Sequence, residues 1–216
     1  LMEEILNKYP LLKDQNVPRE TLMEFESFIA MLQKRNEEIN IISKETAKND
    51  VIRERHIVDS AQIIDLIDLN SNIVTDIGSG GGMPGIIISI LTKRLKKTLK
   101  INLYEKSHHK SAFLRSVSRD LKLNTEIIQK NIFEEQNIES GTVMARAFKP
   151  LPITLELVYK NFSNYKNLIL FMGKNGEKIL EETQQHWEFD FEKKESITSK
   201  DSFLLNIKNI KKKNKN

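Results

Sequence analysis

Cysteine is absent from this chain of 216 residues. That excludes zinc–thiolate sites, disulfides and cysteine nucleophiles, and it fits a reducing compartment. No run of eighteen apolar residues occurs and no signal peptide opens the chain, so the expectation is a cytoplasmic protein without a membrane span. Paired-carboxylate, Ser-His-Asp and metal-ligand signatures are also missing. Glycine is scarce and unevenly used: there is none in the first seventy residues, while five of the eight fall between Gly78 and Gly85. A bare β-turn needs one or two. Five mark a place where the backbone goes left-handed or a ligand comes close to the main chain.

Hydrophobic residues at 39% and charged residues at 30% describe a globular protein, with length for one domain plus an extension. The net charge of +4 conceals a split. Residues 1–70 carry 9 basic and 14 acidic side chains, and the remainder carries 25 and 16. Cation excess in the half that holds the glycines suits a polyanionic partner, although a solvated lysine surface would look the same. Two runs stand out: Lys93-Arg94-Leu95-Lys96-Lys97-Thr98-Leu99-Lys100 and the tail Lys211-Lys212-Lys213-Asn214-Lys215, the latter expected to be disordered. Phosphate contacts of this kind would make binding salt-sensitive without reading sequence.

The periodicity predicts helices first. Leu22, Phe25, Phe28, Ile29 and Leu32 recur at steps of three and four, and Val51, Ile52, Ile57, Val58, Ala61 and Ile64 do so in a second helix over 50–67. From Ile73 the pattern alternates strand and helix, as a doubly wound parallel sheet requires. Strands are expected at 73–77, 101–104, 125–129, 168–172, 189–193 and 203–207, with a fourth in chain order whose carboxyl end lies at Arg146. The helices between them include one with Phe113, Leu114, Val117 and Leu121 inward.

The glycine segment, Asp76-Ile77-Gly78-Ser79-Gly80-Gly81-Gly82-Met83-Pro84-Gly85, can be read in two frames. Gly80, Gly82 and Gly85 satisfy the dinucleotide G-x-G-x-x-G. Asp76-x-Gly78-x-Gly80-x-Gly82 places its first glycine directly after the strand and is preferred. A carboxylate at that strand end would repel a pyrophosphate, whereas it could hold the ammonium and sulfonium of S-adenosylmethionine. Pro84 suits the first turn of the following helix, where a missing N–H is harmless. Glu105, about twenty residues on at the end of the second strand, is placed to accept hydrogen bonds from ribose hydroxyls.

Asp76 to Ile86, with its Gly82-Met83-Pro84-Gly85 ending, resembles the AdoMet loop of the RsmG family (GidB, glucose-inhibited division protein B), the bacterial 16S rRNA guanine-N7 methyltransferases. Arg55-His56-Ile57-Val58-Asp59-Ser60 is similar to that family's Arg-His-Ile-x-Asp-Ser, and Asn40 to the asparagine of its Asn-Leu-Thr. Lys110-Ser111-Ala112-Phe113-Leu114-Arg115 and Ala145-Arg146-Ala147-Phe148 also match. The chain departs from the pattern at Arg35, where Arg35-Asn36 stands for the family's Trp-Asn, and at Ile42, Gly173-Lys174 and Asp201-Ser202.

The resemblance implies a class I AdoMet-dependent methyltransferase, with a Rossmann-like, mostly parallel seven-stranded sheet flanked by helices. The expected parts are a helical N-terminal extension (1–70), a methyltransferase domain (71–210) and a basic tail (211–216). The cofactor would be S-adenosyl-L-methionine, held by Asp76, Gly78, Gly80, Met83, Glu105, Ile132, Phe133 and Arg146, with Ile132 and Phe133 beside the adenine. No metal and no proton-transfer residue is implied. Arg146 could orient cofactor or substrate, and Phe148 could stack on a base. The expected acceptor is N7 of a guanine, family position 527, in 16S rRNA within the small subunit or an assembly intermediate, with the enzyme a monomer. The alternatives are another methyl acceptor, a nucleotide-dependent oxidoreductase, or a non-catalytic RNA-binding assembly factor.

Overall fold

The computed structural model describes residues 1–214. Two short helices, α1 (Met2–Leu6) and α2 (Pro10–Lys13), precede the long α3 (Arg19–Glu38). Phe25, Phe28, Ile29 and Leu32 of α3 are buried, as their spacing demands. The predicted second helix is shorter and less regular than expected. It comprises α4 (Asn49–Ile52), a π-turn over Arg53–Val58, then α5 (Asp59–Ala61), with a separate 3-10 turn at Ile64–Leu66. The π-turn carries three consecutive buried residues, His56, Ile57 and Val58, and single π-turns inside helices often mark functional positions.

The main sheet contains β1 (Ile73–Ile77), β2 (Lys100–Tyr104), β3 (Thr125–Ile128), β4 (Thr142–Ala145), β5 (Asn167–Met172), β6 (Trp187–Glu195) and β7 (Phe203–Lys212). Their order is β3-β2-β1-β4-β5-β7-β6. All pairs from β3 to β5 are parallel, and β7 is antiparallel to both neighbours. The expected mostly parallel seven-stranded sheet is present. Helices α6 (Gly85–Leu95), α7 (His108–Asp120), α8 (Leu151–Asn161) and α9 (Gly176–Gln184) connect the strands. Chain order reverses between β1 and β4, so the loops after β1, β2, β3 and β4 meet at one edge, the position where open α/β sheets take their ligands.

The first seventy residues share a core with the helices of the sheet region. Met2, Leu12, Phe25, Phe28 and Leu32 belong to the same buried cluster as Ile86, Ile90, Phe113 and Leu114, and the rings of Phe28 and Phe113 lie 6.3 Å apart. The tail expectation needs correction. β7 runs on to Lys212, where Lys211 and Lys212 pair with Glu188 and Trp187 of β6, and the Lys213 N–H donates to the His186 carbonyl. Leu205 and Ile207 alternate inward, and a register shift at Asn209, whose φ is 55°, returns Ile210 to the buried side and carries the strand past the point where the apolar signal fades. Lys215 and Asn216 lie outside the described residues.

Candidate functional site

β1 ends where the chain turns over the end of β2: the Gly78 N–H closes the parallel ladder on the Tyr104 carbonyl, and the Ser79 N–H doubles onto the same oxygen, both at 3.0 Å. Gly78, Gly80 and Gly82 have φ of 72°, 55° and 103°, the alternation chosen from the sequence. A Cβ at Gly82 would press on Ile86, and one at Gly78 would strike the Phe148 ring. At Gly80 it would meet nothing within 4 Å. Open space therefore lies directly over the main chain at that position. Gly85, the third member of the dinucleotide frame, is the first residue of α6, and Pro84 before it is the N-cap rather than part of the first turn.

Asp76 is fully buried beneath this loop. Its Oδ2 accepts the Gly85 N–H at 2.9 Å, a bond that Gly85 permits because a side chain there would collide with that oxygen. Oδ1 has no hydrogen-bond partner among the described residues. Burial, reinforced by the nearby charge of Glu105, pushes the pKa up to about 7 against the pull of Ser79, Gly85 and Arg146. The carboxyl group thus fastens α6 to β1 and retains one unused acceptor.

A cavity of about 420 Å³ opens over the loop, within the size range of small-molecule sites. Gly78, Gly80, Glu105, Ile132 and Phe133 line it, together with Tyr104, Asn131 and Phe148. Phe133 and Phe148 stack at 5.9 Å and 19°, so two loops that are distant in sequence form one aromatic wall. The Asn131 side chain accepts the Phe133 N–H and caps the short 3-10 turn that presents it. Asp76 and Met83 are buried and do not line the cavity.

Arg146 does not line it either. Its Nε donates to Asp59 Oδ2 at 3.0 Å, its Nη2 to the Arg55 carbonyl at 2.5 Å and its Nη1 to His56 Nδ1 at 3.2 Å. Burial and the charges of Arg146 and Arg55 lower the His56 pKa to about 4. The ring is neutral at pH 7 and can accept that bond. Asp59 Oδ1 also takes hydrogen bonds from Gln62 Nε2 and Thr198 Oγ1. Gln62 in turn accepts the Ile197 N–H. One short helical segment therefore holds Arg146 after β4 and the 196–202 loop between β6 and β7.

Comparison with known proteins adds to this geometry. The family model described as rRNA small subunit methyltransferase G (GidB) matches residues 21–207. The chain belongs to that family. A relative from Pelagibacter ubique, named ribosomal RNA small subunit methyltransferase G, is 77% identical over 213 residues, which cover 99% of this chain and all of the relative. One of the same name from Rickettsia felis is 34% identical, with 91% of this chain and 97% of the relative covered. Among solved structures, a SAM-dependent methyltransferase from Aquifex aeolicus shares the fold, with a TM-score of 0.53 and 14% identity over 69% of this chain and 88% of that one. The 16S rRNA methylase RmtB does so with a TM-score of 0.52 and 13% identity over 89% and 75%.

Around the positions where this member of the methyltransferase G family departs from the pattern, Arg35 and Ile42, the structure shows visible work. Asn36 Oδ1 accepts the N–H groups of Ile41 and Ile42, and the side chains of both isoleucines face Gly81. The turn after α3 thereby braces the glycine loop. Asn40 and Lys174 are exposed. Sequence reading missed Lys106, Lys110, Lys130 and Lys149, which surround the cavity. They are single residues on different loops, so no basic run announces them.

Proposed function

We propose that this chain transfers a methyl group from S-adenosyl-L-methionine to N7 of a guanine in 16S ribosomal RNA, at the position numbered 527 in the family. The observation that carries the reading is the open space over Gly80 at the mouth of a carboxylate- and aromatic-lined cavity, in a member of the rRNA small subunit methyltransferase G family. The residues fit the cofactor. Gly78 and Gly80 allow close approach to the main chain, and the Glu105 carboxylate offers acceptors for ribose hydroxyls. Ile132 and Phe133 supply an apolar face for the adenine. Asp76 lies buried beneath the cavity rather than in its lining, and its unused Oδ1 supports a counter-charge role toward the ammonium of the methionyl part. Met83 acts by packing within the loop, and Arg146 serves the acceptor side.

When bound, AdoMet supplies an electrophilic methyl group. N7 of guanine has a free lone pair and no proton, so no side chain need act as a base. What the chain contributes is alignment and exclusion of water, worth several kcal/mol in effective concentration. The Phe133–Phe148 stack is suited to the second task. The acceptor would be 16S rRNA in the small subunit or an assembly intermediate, approached by a monomer. Among the described residues no helix is long and apolar enough to cross a membrane.

The test is transfer from methyl-labelled AdoMet to small subunits that lack the modification, followed by mapping of the label. Label on guanine N7 is expected, and label on another nucleotide or on protein would reassign the acceptor. Gly80→Val should lower AdoMet affinity at least tenfold in a folded protein, because its side chain would enter the open space. Unchanged affinity by calorimetry would remove the cofactor from this cavity.

A further inference from the structure

A second cavity, of about 340 Å³, lies beside the first at the same edge of the sheet. Ala147 lines both. With φ of 51° it turns the chain sharply after β4, and it is the residue common to the linings of the two spaces. Phe171 lines the second cavity, and the Arg146 guanidinium carbon sits over its ring, 6.0 Å from the centroid.

Arg146 is restrained on one side only. Three of its five N–H donors are taken by Asp59, His56 and the Arg55 carbonyl. The other two have no acceptor among the described residues, and the side chain borders the cavity. A restrained planar donor beside an aromatic ring matches a purine that must be held by its face and one edge.

We propose that this second cavity receives the acceptor guanine, turned out of its stack, with its ring against Phe171 and its O6 accepting from the free N–H groups of Arg146. An enzyme acting on a base inside structured nucleic acid must extract it, and aromatic side chains hold extruded bases whatever the sequence. Binding through O6 leaves the N7 lone pair unengaged and able to face the cofactor cavity across Ala147. Adenine would present an amino donor to the guanidinium at that position, so Arg146 selects guanine. The inference rests on the reading of the glycine-loop cavity as the AdoMet site and specifies the acceptor side of the same reaction.

Phe171→Ala and Phe171→Trp test it, with thermal melts to confirm folding. Phe171→Ala should lower kcat/KM for methylation of small subunits by roughly one to two orders of magnitude, the range expected for one lost stacking contact. Its AdoMet affinity should equal that of the wild type, and Phe171→Trp should recover most of the rate. In reconstituted small subunits, replacing the acceptor guanine with 2-aminopurine, which keeps N7 and lacks O6, should reduce transfer by the wild-type protein at least tenfold. Full activity of Phe171→Ala, or a loss of AdoMet affinity equal to the loss of rate, would overturn the Phe171 assignment. Undiminished transfer to 2-aminopurine would overturn that of Arg146. A wild-type protein that transfers no label would instead overturn the methyltransferase reading, and this inference with it.

Discussion

Asp76 combines a structural bond with an unfilled acceptor, and its titration should reveal both. Its pKa in the fold is about 7, above the ordinary 3.8, chiefly because burial disfavours the charge. Between those values the native protein keeps a proton that the unfolded chain releases, so this group makes stability fall as pH rises from about 4 to 7. Asp76→Asn cannot ionise. Without cofactor it should melt above the wild type at pH 8, and the gain should vanish near pH 4; an equal difference at both pH values would show that Asp76 does not titrate there. His56 acts in the opposite direction. Its pKa is lowered to about 4 from 6.5, so its contribution is present above 6.5 and is lost as pH falls toward 4. The two effects offset each other in the wild type, and only the single variants separate them. The position of Asp76 was legible in the sequence because a carboxylate closing a β-branched strand is unusual. Its bond to Gly85 was not, since it spans the whole loop.

At the scale of elements, the segment from α4 to α5 is a clamp as much as a packing helix. Its π-turn places His56, Ile57 and Val58 inward together, and Asp59 then reaches Arg146 after β4 and Thr198 before β7. Removing Asp59 should loosen two loops at once. Asp59→Ala is expected to reduce stability by somewhat less than the about 3–5 kcal/mol seen when a fully buried pair loses one member, because both side chains retain some exposure. It should lower the rate of methyl transfer at saturating RNA while leaving AdoMet affinity intact, since neither residue lines the cofactor cavity. A loss confined to AdoMet affinity would contradict this division of work. The Arg-His-Ile-Val-Asp-Ser segment was conspicuous by resemblance. A helical period could not reveal its partners, because they lie about 90 and 140 residues further along the chain.

Over the whole molecule, the two basic runs sit at the wrong edge for the cavity. α6 starts at the glycine loop and carries Lys93 to Lys97 away from it, and Lys100 pairs with Ile73 at the beginning of β1. Lys93 and Arg94 are bound to Glu24 of α3, and Lys212 to Glu156. The cations at the cavity edge are Lys106, Lys110, Lys130 and Lys149. Replacing Lys106, Lys110 and Lys149 with alanine should weaken RNA binding and flatten its salt dependence by up to roughly 2 units of slope, at about 0.7 per single-strand phosphate contact. Replacing Lys96 and Lys97 should change neither; a fall in slope there would place RNA along the opposite edge. Truncation after Ile210 would remove the pairing of Lys211 and Lys212 with β6 rather than a free tail.

The family resemblance pointed to Ile132 and Phe133, while local chemistry was enough to read most of the strands, the glycine frame and Glu105 at the end of the second strand. Each of these depends on spacing within a few residues or on one strand–loop–helix unit. The separate placement of Arg146, the aromatic wall of Phe133 and Phe148, and the lysine rim came from elsewhere. They depend on which strand ends share an edge, and that is set by the chain reversal between β1 and β4 and by burial shared by the N-terminal helices with α6 and α7. Neighbours along a chain reveal the pieces of a site, but only packing in three dimensions determines which pieces face one another.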